Sequence, residues 1–377
     1  MTITPLDDYP LHQVPLPVAH MGTSDPNHYD RYWFNGYDID GEWYIGVAMG
    51  VYPNRGVIDA AFSVVRDGTQ ASVFASGRAP LDRRETKIGP ISIEVIEPLR
   101  ANRIRVDADH LGITADLVWE PRTIAHEEPR QTLVRGQQAM LDSTRFTQWG
   151  TWEGNVAVNG VPLEVRRDRC RGTKDRSWGI RPVGDQVTTA PSTTAPGIFF
   201  LWSPVHWEDR CTHAMLFEGP DGSRLVASAA SVPLLGEGDP VYGAEHTVTH
   251  AYEPLYKLRW RSGTRRMEEA TFTLNYPDGR SEQFVYEPLL DFQMKGIGYT
   301  NPEWAHGRWH GEYKEGSDCW KSADLDLLDI TNFHCQQVCR VTYMEQTGER
   351  TGIGVLEQLV IGPHAPTGLT DFMGGAP

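Results

Sequence analysis

The sequence has no long apolar run. Nothing in it approaches the ~20 consecutive apolar residues of a membrane-spanning helix, so a spanning segment is not expected. Met1–Pro17 has neither a basic stretch nor an apolar core, so no signal peptide is expected there. Cysteine is scarce and odd in number, five in 377 residues. His334, Cys335 and Cys339 lie close together, but no paired CxxC motif exists. Reduced structural thiols, a cytoplasmic location and no metal site are therefore expected. Basic charge is in deficit: 35 Lys and Arg against 50 Asp and Glu give a net charge of −15. A surface of that sign repels phosphate backbones and anionic lipid, which argues against nucleic acid as a partner. Phosphate-cradling glycine loops of the GxGxxG or Walker type are missing, as is a GxSxG elbow. Nucleotide-cofactor and α/β-hydrolase readings fall away, and no cofactor is expected.

Helical periodicity is also nearly absent. Thr132–Leu141 and Asp324–Asp329 are the only fair helix candidates, and both are short. Aromatic residues and strand signals are abundant instead, with 12 Trp, 14 Tyr and 12 Phe. Ile91–Val95 and Ile104–Asp107 alternate apolar with polar, the period-two pattern of half-buried strands. Asp67-Gly68, Asn159-Gly160 and Asp278-Gly279 mark hairpin turns. Strand-like runs recur about every ten residues, which argues for an all-β chain of sandwiches or barrels. The length suits two domains. We place an irregular, proline-rich arm at 1–28, an N-terminal β-domain at 29–185 and a C-terminal β-domain at 186–377.

Three segments concentrate chemistry. Arg169–Pro182 gathers arginines, Lys174, Asp175 and Trp178 between two β-runs, and its two glycines suggest a turn. Asp175 among cations is expected to ionise readily if exposed. Buried among aromatics, it could instead be raised and serve as a general acid. An interdomain ion-pair network involving Arg176 or Arg181 explains the same residues without function. Gly298–His310 holds Tyr299, Glu303, Trp304, His306, Trp309 and His310. Read as a strand, it would hold His306 and His310 roughly 13 Å apart, too far for one metal ion. An imidazole beside aromatics suits a proton shuttle, although a packed barrel strand is the plain reading. The third segment, Ser24–Asn35, runs from polar to aromatic and suggests a chain entering a barrel, with Tyr32 at its mouth. Trp149–Gly154 places Glu153 beside Trp152, a second carboxyl to partner Asp175, and Glu357 is a third acid, in an apolar run.

Asp175-Arg176-Ser177-Trp178-Gly179, ahead of Arg181-Pro182, resembles the Asp-x-x-Trp-Gly signature of the carotenoid 1,2-hydratase (hydroxyneurosporene synthase) and AttH-like superfamily. The Trp149–Gly154 and Gly354–Glu357 runs fit the same resemblance. It implies two lipocalin-like (calycin) β-barrel domains packed side by side, an architecture similar to tocopherol cyclase and certain fungal Diels–Alderases. It also implies cofactor-free chemistry on an apolar isoprenoid-, polyketide- or aromatic-like substrate, with Asp175 at the position of the proposed proton donor. This chain departs from the hydratase pattern in having Arg176 where that pattern has His, and an adjacent cation would favour an ionised Asp175.

The expected function is a lyase, hydratase or isomerase. Asp175, His306 and Glu153 are its candidate acid–base groups. Arg176, Trp178, Arg181, Trp304, Tyr299, Trp152 and Tyr32 are its candidate substrate contacts. A lipocalin-type carrier without chemistry and a carbohydrate-active β-protein are the rivals. A homodimer stays open.

Overall fold

A computed structural model describes residues 3–135, 137–185, 197–345 and 348–377. Among them no α-helix forms, only strands and short 3₁₀ turns, so no helix is long and apolar enough to cross a membrane. In the first half the strands are β1 (His28–Asp38), β2 (Trp43–Tyr52), β3 (Val57–Arg66), β4 (Thr69–Arg78), β5 (Lys87–Ile88), β6 (Ile91–Glu97), β7 (Ala101–Ala108), β8 (Ile113–Pro121), β9 (His126–Arg135), β10 (Gln138–Val158), β11 (Val161–Val165) and β12 (Cys170–Ile180). Those of the second half are β13 (Ile198–His206), β14 (Arg210–Glu218), β15 (Arg224–Pro233), β16 (Thr249–Ala251), β17 (Leu255–Trp260), β18 (Met267–Asn275), β19 (Ser281–Gln293), β20 (Tyr313–Lys321), β21 (His334–Glu345) and β22 (Gly348–Ile361).

Two antiparallel sheets result. The first runs β20-β4-β3-β2-β1-β12-β10-β8-β7-β6-β5, with β9 and β11 both added to the long β10. The second runs β16-β15-β14-β13-β22-β21-β19-β18-β17. Each sheet curls into a half-barrel around its own core. Phe34, Val47, Phe62, Ile104, Leu117 and Trp119 fill the first, and Phe199, Leu216, Phe272, Phe284 and Leu356 fill the second. The chain is thus all-β with two lipocalin-like halves. The expected junction at 185/186 borders residues 186–196, which lie outside the described residues.

The turns follow their sequence signals. Asp67 and Gly68 both take positive φ (50° and 69°), closing the β3–β4 hairpin, and Asn159-Gly160 (50° and 76°) closes β10–β11. Three readings are corrected. Apart from Gly136, which lies outside the described residues, Thr132–Leu141 is not helical. It spans the end of β9 and the start of β10, because strand pairing with long-range partners overrides one or two turns of helical pattern. Asp324 ends a 3₁₀ turn, and the rest of the run to Asp329 is loop. The charged run at Arg169–Pro182 is not a turn between halves. It is β12, a central strand hydrogen-bonded to β1 on one side and β10 on the other.

The outer faces of the two half-barrels pack on each other. β1 and β2 are therefore buried on both faces for most of their length, whereas β7 and β18 alternate buried with exposed positions. The seam core joins Trp33, Tyr37 and Tyr44 to Trp202, Met215, Phe292, Val338 and Val355. Phe292 stacks on Tyr44 at 4.2 Å between centroids and lies against Gly46, where a Cβ would come within 2.6 Å of its Cζ. Phe292→Ala is expected to lower unfolding free energy by about 3–5 kcal/mol, read from urea midpoints, since the ring is fully buried and its hole cannot collapse. A loss under about 1 kcal/mol would mean the seam adds little to stability.

Candidate active site

Strand alternation sorts β12 into two sets. Thr173, Asp175 and Ser177 face the seam, while Lys174, Arg176 and Trp178 face the interior of the first half-barrel. Asn35 of β1 fixes the register at the seam face. Its Oδ1 accepts from the Thr173 backbone N–H and hydroxyl (2.7 and 2.9 Å), and its Nδ2 donates to Gln336 of β21 at 3.0 Å.

Asp175 sits opposite Thr147 of β10 and Trp33 of β1. Its Oδ2 lies 3.1 Å from Nε of Arg145, the seam-facing residue one step along β10. Arg145 in turn stands 4.0 Å from Oε2 of Glu128 on β9. Glu128 Oε1 accepts from Thr147 Oγ1 (2.6 Å) and Trp202 Nε1 (3.1 Å), with His213 Nε2 at 3.4 Å. A second carboxylate enters from β22. Glu357 is bonded to His334 Nε2 and to Gln336 Nε2, each at 2.6 Å, and Gln336 Oε1 accepts from the Tyr44 hydroxyl.

Beside these acids lies an arginine–aromatic cluster. Tyr299 packs edge-on to His306 and His334, each with centroids 4.5 Å apart. Its hydroxyl accepts from Arg181 Nη1 at 2.9 Å, and the Arg31 guanidinium lies over its ring at 4.7 Å. His306 bonds Ile297 O through Nε2 at 2.7 Å and Arg31 Nη1 through Nδ1 at 3.0 Å. Arginine can only donate and a carbonyl can only accept, so His306 is the neutral Nε2–H tautomer. Gly298 (φ 98°) lets the loop reach this position, because a Cβ there would come within 2.6 Å of the His306 ring. The Gly298–His310 segment is loop, not the strand expected, so its alternate residues do not share a face.

The three acids are driven apart. Burial raises the Asp175 carboxyl to about 6; Arg145 opposes that rise, and the negative Glu128 and Glu357 reinforce it. Burial would raise Glu128 too, but His213, Arg145 and the Thr147 hydroxyl outweigh it and hold it well below the carboxylate range. Glu357 is likewise lowered against burial, by His334 and Gln336. Burial would also raise the Tyr299 phenol, but Arg181 and Arg31 bring it below its ordinary value. His306 is pushed well down by burial, then by Arg31 and Arg181, in keeping with its neutral form. The seam is not sealed. Asp175, Arg145 and Glu357 keep 9%, 16% and 10% of their side-chain surface accessible, whereas Glu128 keeps none. Arg145 Nε, Glu128 Oε2, both His213 nitrogens and His334 Nδ1 have no well-directed hydrogen bond among the described residues, which gives this seam polar capacity for a ligand or water. No group of three or more His, Cys, Asp or Glu among those residues is arranged to hold a metal ion.

The structure therefore gathers Asp175, Arg181, Tyr299 and His306, while the other candidates lie elsewhere. Arg176 points away from Asp175 and pairs with Asp30 at 2.8 Å, so the cation beside Asp175 is Arg145. Tyr32, Trp152 and Trp178 share the barrel side with Arg176. Trp304 stacks on Phe74 at 5.3 Å, and Glu153 sits on the surface, 3.1 Å from Arg167. Sequence reasoning missed Arg145, Glu128, His213, His334 and Arg31. Only the pairing of β1, β9, β10, β14 and β21 brings them to the seam, and no local pattern assigns them to it.

A family model described as "Family of unknown function (DUF8625)" matches residues 3–370. The chain belongs to this family. No curated protein matches its sequence. Among solved structures, kievitone hydratase from Nectria haematococca is similar at 14% identity and a TM-score of 0.54, over 90% of this chain and 93% of that one. A putative AttH from Nitrosomonas europaea is similar at 13% identity and a TM-score of 0.51, over 93% and 99%. The AttH-like resemblance carried by Asp175–Gly179 thus holds at the level of the fold, and that fold is one a hydratase uses.

Proposed function

We propose that this DUF8625 member is a hydro-lyase or isomerase that works by acid–base chemistry, without a cofactor, on an apolar isoprenoid-, polyketide- or aromatic-like molecule held at the seam. One observation carries the reading. Of the three carboxyl groups grouped around Arg145, Glu128 and Glu357 are kept ionised by close partners, and Asp175 is left to hold a proton near neutrality; burial raises Asp59 of β3 to about 6 as well, but its oxygens are taken up by the Gly307 N–H and the Tyr52 hydroxyl. Asp175 gives that proton to an alkene carbon, leaving a cationic centre on the neighbouring carbon. Glu128, Glu357 and the rings of Tyr299 and Trp33 stabilise this centre. A water oxygen bonds to the cation and loses a proton to Asp175, now a base, so alkene plus water becomes alcohol. The reverse path removes water, and loss of a different proton from the cation gives an isomer. Arg145 stabilises the Asp175 carboxylate between steps. Tyr299, held by Arg181, orients a polar substituent, and His306 positions Arg31. Trp33, Trp119, Trp149, Trp152 and Trp202 are buried and unavailable as a carbohydrate platform, which leaves the carbohydrate-active reading only Trp178 and Trp309 as exposed tryptophans among the described residues.

The test is incubation in D₂O with prenylated phenols and linear isoprenoids, read by mass spectrometry. The expected product has gained one water, with deuterium fixed on carbon. A panel in which no member gains water or exchanges a carbon-bound hydrogen overturns the reading. Where a substrate turns over, kcat/KM should fall as pH rises through about 6, because the proton that Asp175 must donate is lost there. A flat profile from pH 5 to 8 would remove Asp175 as the acid.

A further inference from the structure

The inward face of β12 carries a second group of residues that the seam chemistry does not use. On three neighbouring strands the inward side chains become more exposed toward one end of the first half-barrel. Along β12 the side chains go from Lys174, 4% exposed, through half-buried Arg176 to Trp178, 40% exposed. β1 follows the same course from buried Phe34 through half-buried Tyr32 to exposed Asp30. On β10, Gln148 is buried and Phe146 half-buried. These gradients describe a funnel with an aromatic wall and Lys174 at its floor.

Among the described residues, Lys174 lacks the carboxylate partner that its neighbours Arg145 and Arg176 have. Arg145 faces two carboxylates, and Arg176 pairs with Asp30 while stacking over Tyr32 at 3.8 Å. Lys174 Nζ makes one hydrogen bond among the described residues, to the neutral Asn102 Oδ1 at 2.9 Å. Three rings lie around it, Trp119, Phe146 and Phe34, with centroids at 5.3, 5.9 and 6.0 Å. An ammonium has three donors, and a buried cation without a counter-ion is costly. We propose that this funnel is a second ligand site, separate from the seam, which takes a planar aromatic or conjugated monocarboxylate. Its ring lies between Phe146, Tyr32 and Trp178, and its carboxylate reaches Lys174. Burial, with Arg176 nearby, brings the Lys174 ammonium down to about 7, and a bound carboxylate would restore its charge.

The probe is cinnamate, titrated calorimetrically into the full chain at pH 7, with cinnamamide as the neutral control. Cinnamate should bind one to one, cinnamamide at least about tenfold more weakly, and Lys174→Met should lose cinnamate by a similar factor. Amine labelling with mass mapping supplies a second measurement that needs no variant. Cinnamate should protect Lys174, seen in the labelled tryptic peptide Gly172–Arg176, and leave exposed lysines unprotected. Equal binding of acid and amide, undiminished binding to Lys174→Met, or labelling of Lys174 unaffected by cinnamate would each overturn the site. None of these outcomes bears on turnover at Asp175.

Discussion

Asp175→Asn is expected to lower turnover about a thousandfold while leaving substrate affinity within a few-fold of the parent. Asparagine keeps the shape of the side chain but has no acidic proton to give, and positioned general acids contribute on the order of 10²–10⁴ in rate. The environment that makes Asp175 an acid is untouched by the change. Glu128 still faces Arg145 and His213, and Glu357 still faces His334 and Gln336. The loss should therefore appear in kcat and not in KM. Turnover within tenfold of the parent would assign the proton transfer to another group, and loss of binding together with turnover would make Asp175 a structural member of the seam.

Glu128→Gln should lower stability by about 3–5 kcal/mol, read from chemical denaturation. Glu128 is wholly buried and is the shared acceptor for Thr147, Trp202 and His213, with Arg145 beside it. An amide keeps one acceptor oxygen but removes the charge, and Arg145 is left buried with only Asp175, a group that is partly protonated near neutrality. The sign with pH is opposite for the two acids. Glu128 is lowered on folding, so its contribution is present above its unfolded value of 4.5 and is lost as pH falls through its folded value. Asp175 is raised, so the folded state binds more protons between 3.8 and about 6, and its contribution falls as pH climbs through that window. Glu128→Gln should therefore flatten the acid limb of the stability curve. A variant as stable as the parent at pH 7 would show that the network is not held together through Glu128.

The β-character of the chain was legible because its signals are local. Asp67-Gly68 and Asn159-Gly160 specify their turns without help, and Ile91–Val95 alternates because one face meets the core. β12 was not legible as a strand. Its charges suit a surface turn until one sees that two buried compartments, one on each side, take alternate residues. The crossing of β20 from the second half to pair with β4 in the first sheet has no local signature either, since it depends on which edge is free once the rest has folded. Resemblance picked out Asp175, but its controlling cation was sought next door in sequence, at Arg176. Sequence neighbours in a strand point to opposite faces, and the true partner, Arg145, comes from the adjoining strand. Glu153, an acid beside Trp152, suggests a carboxyl partner for Asp175, yet β10 has already run out of the seam by that point.

β1, β10 and β12 form a party wall between two rooms. Arg31 and Tyr32, Arg145 and Phe146, and Lys174 and Asp175 are neighbours in the chain that serve opposite sides of it. Side chains on either side can change one at a time, but the number of residues cannot. Removing one residue before Asp175 would send the carboxyl into the barrel and a lysine or arginine into the seam, exchanging acid for base in both rooms at once. Members of this family should therefore vary in what these strands carry while keeping their spacing, with gains and losses of residues confined to the hairpin ends.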